Sequence, residues 1–244
     1  MKKTKVLVII AAAFLVLFCV LTVVLALLGT FSRDKNDPLS SARDVVLDAL
    51  GVEHENEALA WQKAPDGDVA VFETSIGTVK VALFPSEGTD LFVSRAESGF
   101  YDNTAFSVLA ENLFAQVPPT DGSAEDLFKT DLAAVYGAFG FVLDGNKKAS
   151  SSLVVVTAKT LSGLSRAFLE ENADAFDEKR AGFYEEKGGV PDYEGRLALF
   201  GQTVDGFDVL AALAEGTTDG YTGGYNAEEP VTILGIRIEK AETE

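Results

Sequence analysis

The chain has 244 residues, of which 47% are hydrophobic, so it can bury one ample domain or two small ones. Its 38 acidic residues and 20 lysines and arginines give a formal net charge of −18. Such a charge repels phosphate backbones, and the sequence has no basic stripe to offset it, so we predict no nucleic-acid binding. We interpret the acidity as that of a solvated surface.

The chain has few residues that could support redox, metal or histidine chemistry. Cys19 is the only cysteine, which excludes an intrachain disulfide. His54 is the only histidine and lies in a Glu-rich stretch. A metal site there is conceivable, but an exposed helical side chain is the interpretation that we favour. We therefore predict no metal site and no cofactor.

An uncharged apolar run lies between Val6 and Leu28 and follows lysines at positions 2, 3 and 5. A helix rises about 1.5 Å per residue, so this run can cross a bilayer core of about 30 Å. It is longer than the apolar stretch of a cleaved signal peptide, which is roughly 7–15 residues, and lacks the small residues of a cleavage site. Residues 1–29 are thus predicted to be a cytoplasmic tip and a single transmembrane helix, which leaves the remainder extracytoplasmic in the cell membrane. Lipid attachment at Cys19 is opposed by the bulky Phe18.

Residues 30–67 are predicted to form an acidic connector. Asp37-Pro38 opens it, and a helical pattern over residues 40–50 places Val45, Val46 and Ala49 on one face. Gly51 would end this helix. We interpret the segment as a stalk or a short packing helix.

From Asp68 onward the pattern changes to short strands. Val69 and Val71, then Val79, Val81 and Leu83, alternate with other residues on either side of a turn. Further strand-like runs cover residues 105–109, 113–117, 135–143, 153–157, 196–201 and 231–239. Helices are predicted near residues 91–98 and 207–214, with a third in an insertion at 165–187. Many short strands indicate a barrel or a sandwich.

Three groups of motifs carry a resemblance. The stretch from Phe100 to Phe106, with Gln116 ten residues later, is similar to the core motif of cyclophilins. Gly188-Gly189-Val190-Pro191 and the run from Phe200 to Leu210 resemble secreted bacterial members of that family. The hairpin around Gly77 and the segment Glu229-Pro230-Val231 resemble its opening and closing strands. The resemblance covers residues 68–241 and implies a mainly β fold, an eight-stranded closed barrel with two or three helices.

The resemblance also implies a reaction, the cis-trans isomerisation of peptide bonds that precede proline. Such an enzyme lowers a barrier of ~18–20 kcal/mol by stabilising a twisted amide. The family is thought to use an Arg, a Gln and a His as hydrogen-bonding side chains. Those positions fall on Val108, Ser152 and Leu197, of which only the serine could donate a hydrogen bond.

The resemblance assigns a second set of residues to the peptide groove. Phe106, Leu113, Phe114 and Val154 would be its apolar members, and Gln116 keeps the family's residue type. Arg196 adjoins the groove in the family's layout. It could serve as a substitute donor or be a surface charge, and Phe106, Leu113 and Phe114 could equally be barrel core.

Three functional hypotheses follow. The first is a tethered, catalytically degenerate module that binds extended or proline-containing protein segments outside the cytoplasm. The second is a weakly active isomerase that assists the folding of secreted proteins. The third is a structural spacer whose groove is filled by Leu113, Phe114 and Leu197. Fold alone does not decide among them.

Overall fold

The computed structural model describes residues 57–126, 130–217 and 226–241, which all fall within one compact unit, Asn56–Glu244. The predicted transmembrane run at residues 6–28, the helix predicted at 40–50, Cys19 and His54 lie outside the described residues. No helix within those three ranges is both long and apolar enough to cross a bilayer.

Within these described ranges, nine strands form one antiparallel sheet. They are β1 (Val69–Thr74), β2 (Gly77–Leu83), β3 (Ala105–Ala110), β4 (Phe114–Val117), β5 (Ala124–Glu125), β6 (Ala138–Leu143), β7 (Ala149–Val156), β8 (Leu197–Asp205) and β9 (Asn226–Glu239). Their order is β4-β3-β9-β1-β2-β8-β6-β7-β5, and β4 also pairs with β7. That pairing closes eight strands into a barrel, and the short β5 adds to β7 outside the closure. The predicted eight-stranded closed barrel is confirmed.

The helices are more numerous than the two or three that the sequence predicted. The described residues contain α1 (Glu57–Lys63), α2 (Glu87–Glu97), α3 (Gly163–Glu171), α4 (Glu178–Lys187), α5 (Phe207–Ala214) and a 3-10 helix (Pro191–Arg196). The single helix expected in the insertion is two helices. Asn172 ends α3, and the Asp177 carboxylate starts α4 by accepting a hydrogen bond from the backbone N–H of Arg180.

The hydrophobic core has an inner and an outer part. The inner cluster fills the barrel with alternate strand residues and side chains from α2 and α5, including Phe72, Phe92, Phe139 and Phe200. The outer cluster lies on the opposite face of β6, β7 and β8 and includes Val154, Leu197 and Leu199. Since successive side chains of a strand point to opposite faces, the same strands supply both clusters.

The insertion and α1 cover part of this outer face. Helices α3 and α4 pack with Leu59 of α1 in a third cluster. Gln62 of α1 fixes the helix through both ends of its amide, donating to the Ala133 oxygen at 3.0 Å and accepting from the Ala133 N–H at 2.7 Å. Helix α1 thus packs on the barrel although it lies within residues 30–67, the predicted connector.

Candidate functional site

A groove of about 260 Å³ opens where the outer cluster is left uncovered. Strands β4, β6 and β7, the hairpin between β6 and β7, and the 3-10 helix form its walls. Its lining residues are Phe114, Gln116, Val142, Leu143, Asp144, Gly145, Lys147, Val154, Tyr193, Arg196 and Leu197. The floor is apolar and the polar groups lie around it, the usual arrangement of a ligand site.

Strand register places three of the predicted site residues in one row. Val108 on β3 is the direct partner of Gln116 on β4, and Gln116 is the direct partner of Val154 on β7. Directly opposed residues project to the same face of a sheet. The half-buried Val108 therefore lies beside the groove amide, although it does not itself line the groove.

A short hydrogen-bond chain fixes the Gln116 amide. Its Nε2 donates to the Ser152 hydroxyl at 2.7 Å, and that hydroxyl donates to the Val117 backbone oxygen at 2.7 Å. A carbonyl can only accept, so the single hydroxyl proton of Ser152 is consumed and Gln116 must be the donor of the pair. Ser152 is also buried and does not line the groove. It has no proton left to donate to a substrate.

Aromatic contacts join the 3-10 helix to β4 and build a second wall of the groove. The Tyr193 ring packs edge-on against Phe114 with ring centroids 5.5 Å apart. The Arg196 guanidinium lies over the other part of this wall, 5.2 Å from the centre of the Tyr193 ring. Leu197 follows and is buried in the outer cluster at 4% exposure. Leucine has no hydrogen-bonding group, so this position supplies only apolar surface.

The hairpin between β6 and β7 forms the remaining wall. Asp144 Oδ1 accepts the backbone N–H groups of Asn146 at 2.8 Å and Lys148 at 2.9 Å, which ties the turn together. The Lys148 N–H is the main reason that the pKa of Asp144 is lowered, so this carboxylate stays ionised. Lys147 Nζ crosses to the 3-10 helix and donates to the Gly195 oxygen at 2.9 Å.

A buried ion pair holds the 3-10 helix from beneath. Glu194 accepts from Arg180 Nη2 at 2.7 Å and Nε at 2.9 Å, and it also accepts from the Tyr184 hydroxyl. The same guanidinium donates to the backbone carbonyl oxygens of Asp131 and Leu132. Glu194 follows Tyr193 directly, so α4 of the insertion sets the position of the aromatic groove wall.

Two glycines of the quoted motif bring this helix close to the barrel. Gly188 and Gly189 have φ angles of 74° and 119°, which disfavour residues with a side chain. An added Cβ would collide with the Lys159 backbone at Gly188 and with the Ala134 oxygen at Gly189. Only glycine at these two positions lets the segment before the 3-10 helix lie this close to the barrel.

The structure brings some of the predicted residues together and separates others. Phe114, Gln116, Val154, Arg196 and Leu197 line the groove. Phe106 instead belongs to the barrel interior, and Leu113 packs against the outer cluster without lining the groove. Sequence reasoning missed Tyr193 and the hairpin residues 142–147. The turn signature Asp144-Gly145-Asn146 and the place of Tyr193 between Pro191 and Gly195 were the available signals.

The architecture defines a protein class. A closed eight-stranded antiparallel barrel with a groove on its outer face matches a cyclophilin type peptidyl-prolyl cis-trans isomerase from Cryptosporidium parvum, solved in the presence of the dipeptide Ala-Pro. The TM-score is 0.52 at 17% sequence identity, over 71% of this chain and 99% of that one. The fold is therefore that of the cyclophilins.

Sequence comparison gives the family. The model of the cyclophilin type peptidyl-prolyl cis-trans isomerases matches residues 69–242, and the chain belongs to this family. A Staphylococcus aureus protein named as a peptidyl-prolyl cis-trans isomerase is 27% identical over 159 residues, 59% of this chain and 79% of that protein. Peptidyl-prolyl cis-trans isomerase 9 of Schizosaccharomyces pombe is 25% identical over 178 residues, 70% of this chain and 25% of that protein.

Proposed function

We propose that this chain is a cyclophilin-like, catalytically degenerate module that holds extended, proline-containing protein segments in its groove without isomerising them. One observation carries the proposal. The groove has an open apolar floor, whereas the positions aligned with the family's three donors offer no free proton. Val108 and Leu197 have none, and that of Ser152 is bonded to Val117.

The energetic argument concerns the twisted amide. Donors that are preorganised in a dry site act where charge develops, and removal of one typically costs a factor of about 10² to 10³ in rate. Loss of several should leave little acceleration, because the remaining apolar contacts hold the cis, trans and twisted forms about equally well. Uniform binding of this kind gives affinity without turnover.

The ligand class rests on the shape of the site and on the family. The Cryptosporidium parvum relative was solved in the presence of Ala-Pro. In this chain, the floor formed by Phe114, Val154 and Leu197 offers the apolar surface that a pyrrolidine ring would cover. We therefore propose a proline or a similar apolar residue as the anchor.

The spacer hypothesis requires a filled groove. A volume of about 260 Å³ remains beside Phe114 and Leu197, and Leu113 does not line it. This observation favours a binding module over a spacer.

A weakly active isomerase is the second candidate, and one observation favours it. Within the described residues, the second amide hydrogen of Gln116 makes no hydrogen bond, and Arg196 lines the groove. These two groups are the donors that could face a bound amide.

We also propose that residues 6–28 anchor the chain in the cell membrane with the N-terminus in the cytoplasm and the domain outside. The lysines before this run and its length support the orientation. Protease treatment of intact cells should digest the domain and spare an N-terminal tag. Protection of the domain until the cells are lysed would overturn the orientation.

The deciding experiment measures binding and turnover on one sample. The full chain in lipid nanodiscs would be titrated with an Ala-Pro peptide, and cis-trans exchange of the same peptide would be followed by NMR, with empty nanodiscs as the zero. Saturable binding without faster exchange supports the proposal. Exchange clearly above the zero supports the isomerase, and absence of binding supports the spacer.

A further inference from the structure

We propose that the groove selects segments that carry a carboxylate next to the anchoring apolar residue, and that Lys147 and Arg196 recognise this carboxylate. The inference rests on the proposed function of the groove and names its ligand more closely. It is drawn from two cations on the groove rim.

Both cations lie on one side of the groove. Lys147 comes from the hairpin between β6 and β7, and Arg196 is the last residue of the 3-10 helix. The Lys147 Nζ donates to the oxygen of Gly195, the residue directly before Arg196, at 2.9 Å. This hydrogen bond brings the two positive side chains to the same rim although they are far apart in sequence.

Neither cation is neutralised by the protein. Several other cations of the described residues have a carboxylate within salt-bridge distance, among them Lys148, Arg166, Arg180, Lys187, Arg237 and Lys240. Lys147 and Arg196 have no such partner in the same part of the chain. Lys80, Arg95 and Lys159 have no carboxylate partner there either, but among the described cations only Lys147 and Arg196 line the groove.

Asp144 also lines the groove, but it forms no salt bridge with Lys147 or Arg196 within the described residues. Its Oδ1 is bound by the N–H groups of Asn146 and Lys148 and holds the turn together. The charge of Asp144 is thus partly offset by backbone amides. The Arg196 guanidinium and the Lys147 ammonium hydrogens that do not bond Gly195 remain available to a ligand.

The guanidinium is already oriented for such a ligand. Its position over the Tyr193 ring restricts the side chain, so less conformational entropy is lost when a hydrogen bond forms. A flat guanidinium can bind a carboxylate through two parallel hydrogen bonds. The Lys147 ammonium, bonded to the residue before Arg196, adds attraction without further geometric demand.

The test compares peptides that differ in one charge. The full chain in lipid nanodiscs would be titrated with Ac-Gly-Ala-Pro-Leu-Asp-Gly-NH2 and with its Asn counterpart, with detection by a neutral fluorophore. We expect the Asp peptide to bind about 1.5-fold to fivefold tighter at low salt, the range of exposed ion pairs. The preference should shrink as salt is added. The Asn peptide with a free C-terminus shows whether a chain end serves as the carboxylate source.

Matched variants assign the effect to the rim. Arg196→Gln and Lys147→Gln should each reduce the preference, and Arg196→Glu should reverse it in favour of a Lys peptide. Arg166→Gln and Lys159→Gln change exposed cations outside the groove and should leave it unchanged.

The two proposals fail in different ways. Equal binding of the Asp and Asn peptides, or a preference that survives Arg196→Gln and Lys147→Gln, would overturn the carboxylate assignment and leave the binding function intact. If neither peptide bound, both the proposed binding function and the carboxylate assignment would be overturned.

Discussion

The Gln116 amide and the Ser152 hydroxyl form a hydrogen bond of 2.7 Å in which the glutamine is the donor. The serine cannot reciprocate, because its proton goes to the Val117 oxygen. At the position where the resemblance predicts a donor, this chain has a buried hydroxyl whose proton is bonded to the backbone. The same bond fixes the direction in which Gln116 presents its amide to the groove.

Ser152→Ala should destabilise the barrel. The change removes the acceptor of the Gln116 amide and leaves the buried Val117 oxygen without its donor, at a cost of about 1–3 kcal/mol. Urea unfolding measures the loss, with Ser94→Ala on the exposed face of α2 as the control. A double-mutant cycle with Gln116→Ala should show coupling between the two sites. Additive losses would mean that the hydrogen bond contributes nothing to stability.

Val108→Arg should raise the isomerisation rate. Strand register places position 108 directly opposite Gln116, so an arginine there would extend a donor over the groove edge. We expect about a tenfold rise in exchange rate, less than the about 10²-fold or greater effect of a fully preorganised donor. Val108→Lys supplies the same charge without the planar guanidinium, so its rise in exchange rate should be smaller. A folded arginine variant with an unchanged rate would contradict the assignment.

Glu194→Gln should weaken both stability and peptide binding. The substitution leaves the buried Arg180 guanidinium without its counter-charge, which typically costs about 3 kcal/mol or more. Because Glu194 adjoins Tyr193, the groove wall should loosen and peptide affinity should fall. The control is Glu185→Gln, whose partner Arg166 is about half exposed, with an expected change below about 1 kcal/mol. Equal losses in the two variants would argue against a special role for the buried pair.

Stability should fall at alkaline pH because of Tyr184. Burial raises the pKa of its hydroxyl well above the ordinary value of 10.0, and the Glu194 charge raises it further. The unfolded chain then loses this proton first as pH rises past 10, so the contribution is complete below pH 10 and declines above it. Unfolding free energies from pH 8 to 11 would show the decline. Tyr184→Phe should flatten it in part, since burial raises the pKa of Tyr101 as well; an unchanged slope would exclude Tyr184 as a source.

Gln62→Ala should release helix α1. Its amide makes both hydrogen bonds to Ala133, and Trp61, the only tryptophan, packs edge-on against Phe84 at 5.2 Å. The variant should shift tryptophan emission to longer wavelength and lower the unfolding free energy by about 1–3 kcal/mol. Asp66→Asn keeps the backbone oxygen that accepts the Trp61 N–H and should leave the emission unchanged. Unaltered emission in Gln62→Ala would mean that apolar contacts alone hold the helix.

The sequence predicted the barrel well because strand alternation and turn residues are local signals. Val69 to Leu83 alternate as a hairpin requires, and the structure pairs them as β1 and β2. Helix α1 was missed because it has only seven residues and one of its three buried residues, Gln62, is polar, so no clear hydrophobic pattern marks it. The insertion was predicted as one helix because Asn172 and Asp177 act through capping geometry that composition does not show.

The groove was harder to predict than the fold. Residues on adjacent strands, such as Gln116 and Val154, meet only through tertiary pairing, and family motifs supplied that information. The hairpin wall was missed because Asp144-Gly145-Asn146 has the composition of an ordinary turn. The hydrogen bond from the Ser152 hydroxyl to Val117 likewise cannot be predicted from the sequence, because it depends on the position of a backbone oxygen.

The division between inner and outer clusters has an evolutionary consequence. Among the site residues named from the sequence, Phe106 packs inside the barrel, whereas Phe114, Val154 and Leu197 belong to the face outside it. Mutations on the outer face leave the packing inside the barrel untouched. Selection can therefore relax on the donors, or remodel the rim for a new ligand, while the barrel persists. In such a scaffold, the fold can be kept in evolution while the residues of the groove change.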